Sequence, residues 1–107
     1  MSRIIKLEKQ LKQLISEWIT IHSYLNQNLI LTTITEVNMS NDCSFAMVYI
    51  TSFHDTINAA ELLNEKKFDI QKTIATTLNL KRTPRIRFKV DKGSEEYKKI
   101  SDILNEK

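Results

Sequence analysis

The run from Ile34 to Thr51 limits the fold more than any other part of this chain: Ile-Thr-Glu-Val-Asn-Met-Ser-Asn-Asp-Cys-Ser-Phe-Ala-Met-Val-Tyr-Ile-Thr. In its second half Ala46, Val48 and Ile50 alternate with Phe45, Met47, Tyr49 and Thr51. Period two is the strand period, because successive side chains of a strand point to opposite faces. Ser40, Asn41 and Asp42 carry short polar side chains that bond neighbouring backbone groups, and so mark a turn. The segment therefore reads as a strand, a turn and a second strand. The first strand is expected over Leu29 to Met39. Its alternation changes phase, with Ile30 and Ile34 on one parity and Val37 and Met39 on the other. A bulge near Thr35 and Glu36 reconciles them, since one extra residue switches the face that each side chain takes.

Helical periodicity flanks this hairpin. Ile4, Leu7, Leu11, Leu14, Ile15 and Trp18 recur at spacings of three and four, which predicts one apolar stripe on a helix from about Arg3 to His22. Lys6, Lys9 and Lys12 then fall on the opposite, solvated face. Trp18, at the centre of the stripe, is expected to anchor the core. Past the hairpin, Asp55 or Thr56 can cap a helix through a side-chain oxygen, with Ile57, Ala60, Leu62 and Leu63 as its apolar positions. Ile70, Ile74 and Leu78 mark a further helical run. Lys81 to Val90 reads as a third strand with its approach. Pro84 has no N–H to donate and belongs at the strand's start. Ile86, Phe88 and Val90 point inward to the helices, and Arg85, Arg87 and Lys89 point outward. Val48, Ile50, Ile86, Phe88, Leu11, Trp18, Ile74 and Leu78 are expected to share one core.

A chain of 107 residues fits one domain, large enough to bury a core without metal or disulfide support. It has no run of about 18 apolar residues, as a membrane span would need. Lys6, Glu8, Lys9 and Lys12 interrupt any apolar stretch that a signal peptide would require. Cys43 is the one cysteine, so no internal disulfide can form, which points to a reduced cytosolic protein. The single glycine excludes a glycine-rich phosphate loop or a dinucleotide fingerprint. His22 and His54 are the only histidines, and no spacing of His, Cys and carboxylates resembles a metal site. Catalysis finds little support, and no cofactor is implied.

Charge placement says more than the net value of +3. Arg3, Lys6, Lys9 and Lys12 are followed by 53 residues without Lys or Arg, Gln13 to Glu65, and that gap holds six acids. Lys66 to Lys92 then carries nine basic residues against Asp69 and Asp91 alone, a formal +7 in a chain whose remainder is −4. Such segregation is the footprint expected for a polyanionic partner. A solubilising surface is the plain alternative. If Phe45 and Tyr49 share the outer face with Arg85, Arg87 and Lys89, rings and guanidinium groups lie together, which suits stacking on unpaired bases. A half-buried second face is the competing reading.

Val37, Ser40, Asp42, Ala46, Val48, Tyr49 and Thr51 resemble the Val-x-x-Ser-x-Asp-x-x-x-Ala-x-Val-Tyr-x-Ser/Thr segment of the bacterial ribosome-binding factor A family. Leu78-Asn79-Leu80-Lys81-Arg82-Thr83-Pro84, with Ile86 and Phe88, resembles that family's Leu-x-Leu-Arg-x-x-Pro-x-Leu-x-Phe segment. Ile100, Ile103 and Leu104 are similar to its closing Ile-x-x-Leu-Leu. The likeness runs from about Arg3 to Leu104. It implies an α+β fold of KH-like type II order, α-β-β-α-α-β, with a small three-stranded sheet and helices on one face. KH domains join two helices by a Gly-x-x-Gly loop whose backbone approaches phosphates. In the family a kinked helix around Ala-x-Gly replaces that loop. Here the positions read Lys66-Lys67-Phe68, so a weaker kink is expected, with lysine charge offsetting the lost backbone approach. The family's Asp-Pro-Arg with glycine is likewise absent before the first strand, where this chain has Tyr24-Leu25-Asn26-Gln27-Asn28.

The resemblance implies a non-enzymatic, monomeric, cytoplasmic assembly factor. It would bind 16S rRNA of the immature 30S subunit, the free subunit rather than mature ribosomes. It would assist late maturation, including processing at the 16S 5′ end and growth in the cold. Arg3, Lys6, Lys66, Lys67, Lys72, Lys81, Arg82, Arg85, Arg87 and Lys89 are the candidate RNA contacts. A KH-like RNA binder without ribosome preference, and an adaptor whose basic strand meets an acidic protein, are the other readings.

Overall fold

A computed structural model describes residues 3–25, 29–53, 55–91 and Gly93. The closing Ile100, Ile103 and Leu104, His54, and Asn26 to Asn28 lie outside the described residues. Helix α1 spans Arg3–His22 and is followed by a short 3-10 turn, Ser23–Leu25. Strands β1, Thr32–Met39, and β2, Phe45–Ser52, form the hairpin. Helices α2, Thr56–Glu65, and α3, Lys67–Leu78, precede strand β3, Arg85–Val90. The sheet order is β1-β2-β3, with β1 antiparallel and β3 parallel to β2. This is the α+β, KH-like order that the resemblance implies.

Period and pairing agree. The ladder skips Thr35, pairing Ile34 with Ile50 and Glu36 with Tyr49, so the bulge falls where the change of phase requires it. Three rows then line up across the inner face: Ile34, Ile50 and Val90; Val37, Val48 and Phe88; Met39, Ala46 and Ile86. All of these but Val90 and Met39 join Leu7, Leu11, Ile15, Trp18 and Ile19 of α1, Ala59, Ala60 and Leu63 of α2, and Ile70 and Ile74 of α3 in one core cluster, with Met39 and Leu78 packed at its margin. Each fully buried Leu or Ile stabilises the fold by about 1.5–3 kcal/mol. Trp18 also ties two helices together, its indole N–H donating to Asp69 Oδ2 at 3.0 Å.

Two expectations need correction. The first strand begins at Thr32, not Leu29. Leu31 takes a left-handed φ of 61°, which no strand accommodates, and Leu29 is buried ahead of it. In α2 the inward positions are Thr56, Ala59, Ala60 and Leu63, while Ile57 is exposed. The phase is set at the helix start. Asp55 accepts the Asn58 N–H as N-cap, and the buried Thr56 hydroxyl donates to Ser52 O while accepting from Ser52 N–H. With Thr56 inside, positions three, four and seven further on follow it.

Candidate nucleic-acid interface

The candidate interface is built from the turn outward. Ser40 N–H donates to Phe45 O at 2.8 Å and Cys43 N–H to Ser40 O at 2.9 Å. Asp42 Oδ1 accepts from the Ser40 and Ser44 hydroxyls at 2.8 and 2.7 Å and from Ser44 N–H at 3.1 Å. These bonds, the Ser44 hydroxyl foremost, lower the Asp42 carboxyl from 3.8 to about 2. The Ser-x-Asp pair that carries much of the family resemblance is therefore structural. It holds a turn in which Cys43 takes a left-handed φ of 60°. Ser44 O then accepts from Arg85 N–H at 2.9 Å, which fixes where β3 begins.

That anchoring gathers the cations in two places. Arg3, at the start of α1, lines a cleft of about 440 Å³ with Asp42, Cys43, Asn79, Leu80, Lys81 and Arg82. The loop that carries Lys81 and Arg82 leaves α3 through Asn79, whose φ of 50° gives the left-handed C-cap that asparagine tolerates. The second cleft, about 450 Å³, lies at the outer edge of β3 and is lined by Phe45, Lys67, Phe68, Gln71, Arg85, Ile86 and Arg87. Arg85, Arg87 and Lys89 are all exposed on the outer face, and the register sets them beside Phe45, Met47 and Tyr49. Lys6, Lys66, Lys72 and Lys89 are exposed but line neither cleft. Among the described residues none of these candidate cations has an ion-pair partner.

Tyr49 departs from the expectation. It shares the outer face with Phe45, yet it is only 7% exposed, so its ring is not open to a base. Phe68 is exposed, at 73%, and unlike Tyr24 and Phe53, which are as open at 78% and 76%, it lines the second cleft. Lys67 Nζ lies 5.5 Å from its centroid, within cation–π range. Phe68 stands just past the junction of α2 and α3, where Lys66 ends one helix and starts the next at φ −97°, ψ 5°. That conformation is open to any L-residue, so the break forms without the family's glycine. The signal for Phe68 was present in the sequence: at 100° per residue it falls on the opposite side of α3 from Ile70 and Ile74.

Asn64 and Gln71 carried no such signal. Asn64 accepts Phe88 N–H at 2.8 Å and donates to Phe88 O at 3.0 Å, and Gln71 Oε1 accepts Ile86 N–H at 3.0 Å. Two side-chain amides thus stand in for a fourth strand and hold β3, with its outward cations, against α2 and α3. No group of three or more His, Cys, Asp or Glu among the described residues is placed to hold a metal ion.

A small α+β domain of KH-like order, with cations on the outer face of its parallel edge strand that have no ion-pair partner among the described residues, is the class that these features define. A family profile described as ribosome-binding factor A matches residues 3–104. The chain belongs to the ribosome-binding factor A family. The ribosome-binding factor A of Mycoplasmopsis pulmonis is 34% identical over 104 residues, spanning 95% of this chain and 93% of that protein. That of Finegoldia magna is 31% identical over 107 residues, spanning 95% and 88%. The crystal structure of ribosome-binding factor A from Thermus thermophilus superposes with a TM-score of 0.77 at 27% identity, covering 85% of this chain and 98% of that one. A homology model of the Thermus thermophilus factor, fitted into the cryo-EM map of its complex with the 30S subunit, gives 0.71 at 28% identity, covering 82% and 94%.

Proposed function

We propose that this chain is a non-enzymatic assembly factor that binds 16S rRNA of the immature 30S subunit and assists its late maturation. The observation that carries the reading is the row Arg85, Arg87 and Lys89, exposed on the outer sheet face without ion-pair partners among the described residues. Arg3, Lys81 and Arg82 extend the same charge around the turn. Cations of this density bind phosphate by releasing its counterions. Family membership and the Thermus thermophilus factor fitted to a 30S complex support the small subunit as the partner. Such a factor works by favouring one RNA conformation over another, so its effect is bounded by its differential affinity for the two. The factor acts in the cytoplasm as a single-domain monomer, without metal or cofactor. Its maturation step includes processing of the 16S 5′ end and matters most in the cold.

The test is a salt titration of binding to small-subunit RNA. With about four phosphate contacts, log K should fall with log salt at a slope of roughly −3. Arg85→Ala with Arg87→Ala should flatten the slope by about one to two units. Lys9→Ala, on the solvated face of α1, should change it less. Equal slopes for all three proteins would remove β3 from the interface and favour an adaptor that meets an acidic protein. In cell extract the chain should sediment with free small subunits. Nuclease-sensitive binding without that preference would favour a general RNA binder.

A further inference from the structure

We infer that the cleft between β3 and the start of α3 is a base-stacking subsite, in which Phe68 receives one unpaired nucleotide of the RNA. The inference deepens the RNA-binding reading and rests on it. Phe68 is 73% exposed, and Tyr24 and Phe53 are as open at 78% and 76%, so exposure alone marks no site; Phe68 differs in standing in a cleft lined by cations. Its surroundings match a nucleotide rather than an apolar partner. Lys67, Arg85 and Arg87 line the same cleft as Phe68 and Phe45, and no acid does. Among the described residues none of the three cations has an ion-pair partner.

Gln71 adds orientation. Its carbonyl is held by Ile86 N–H, which fixes the amide and leaves its NH2 group without a hydrogen bond among the described residues. A base laid on Phe68 would thus find a ring for its face, a fixed donor for an acceptor on its edge, and cations for the flanking phosphates. A paired base offers no free face to the ring, so the subsite selects single-stranded RNA.

The experiment compares wild type, Phe68→Ala and Phe68→Trp on two probes: a short oligoadenylate RNA, and the same strand annealed to oligouridylate. Stacking on an aromatic side chain is worth about 1–3 kcal/mol per base, so Phe68→Ala should weaken single-strand binding by about five- to 150-fold. Duplex binding and the salt slope should stay as in wild type, because no charge is removed. Phe68→Trp should bind the single strand at least as well as wild type. Its fluorescence should be quenched by oligoadenylate beyond any change seen in wild type, where Trp18 is buried. Unchanged single-strand affinity in Phe68→Ala, or an unquenched Phe68→Trp, overturns the subsite while the salt slope keeps the RNA-binding reading. If wild type binds neither probe and no small-subunit RNA, that reading falls and the subsite with it.

Discussion

Phe88 is held from two directions. Its ring is buried in the core row with Val37 and Val48, and both of its outward backbone groups are taken by Asn64. Phe88→Ala should cost about 3–5 kcal/mol in a denaturant titration, the range for emptying a large core site. Asn64→Ala removes no core volume but strips the Phe88 N–H of its acceptor, so it should cost about 1–3 kcal/mol by the same measurement. At the turn, Asp42 has a depressed folded pKa of about 2 against 3.8. A depressed carboxyl contributes stability that is fully present above the unfolded value and is lost as pH falls toward the folded one. The contribution should therefore fade between about pH 4 and pH 2. An acid titration of Asp42→Asn should lack that component and be less stable than wild type at neutral pH.

Elements differ in how far the sequence alone discloses them. The α1 stripe, the β3 alternation and the bulge at Thr35 are local periodicities, so they could be read from residues a few positions apart. Deleting Thr35 tests the bulge. Without it, Ile34, Glu36 and Val37 run opposite Ile50, Tyr49 and Val48 with no break, so Ile34 and Val37 both still face inward and the denaturation midpoint should change little. A loss of about 1.5–3 kcal/mol, as exposing either would cost, would overturn the assignment of Thr35 as the extra residue. What the sequence could not disclose depends on distant partners. Asn64 and Phe88 are 24 residues apart, Gln71 and Ile86 are 15, and Trp18 and Asp69 are 51. No period links such pairs. The burial of Tyr49 is of the same kind, since strand parity gives its face but not its exposure. The cations were legible as a charged segment, but their division into two clefts was not. Arg3 meets Lys81 and Arg82 only because α1, the hairpin turn and the loop after α3 end at one place.

For the molecule as a whole, sheet size matters as much as charge. A three-stranded sheet has two edge strands and one interior strand, and an edge strand with free N–H and C=O groups invites pairing by any extended chain. Here side chains from three helices occupy such positions. Asn64 of α2 and Gln71 of α3 take Phe88 and Ile86 on β3, and Glu8 of α1 accepts Met39 N–H at 2.8 Å on β1. The amide plugs take three main-chain groups of β3, the Ile86 N–H and the Phe88 N–H and C=O. A partner meets guanidinium and ammonium groups there, while the Ile86 N–H and both Phe88 groups are already engaged. Asn64→Ala combined with Gln71→Ala should therefore do more than lower stability. It should make light scattering rise with protein concentration at temperatures where circular dichroism still reports a folded domain, as copies add strand to strand along the reopened border. The plugs that hold the basic row in place also keep a crowded cell's extended polypeptides from zipping onto it, so the strand stays available to nucleic acid.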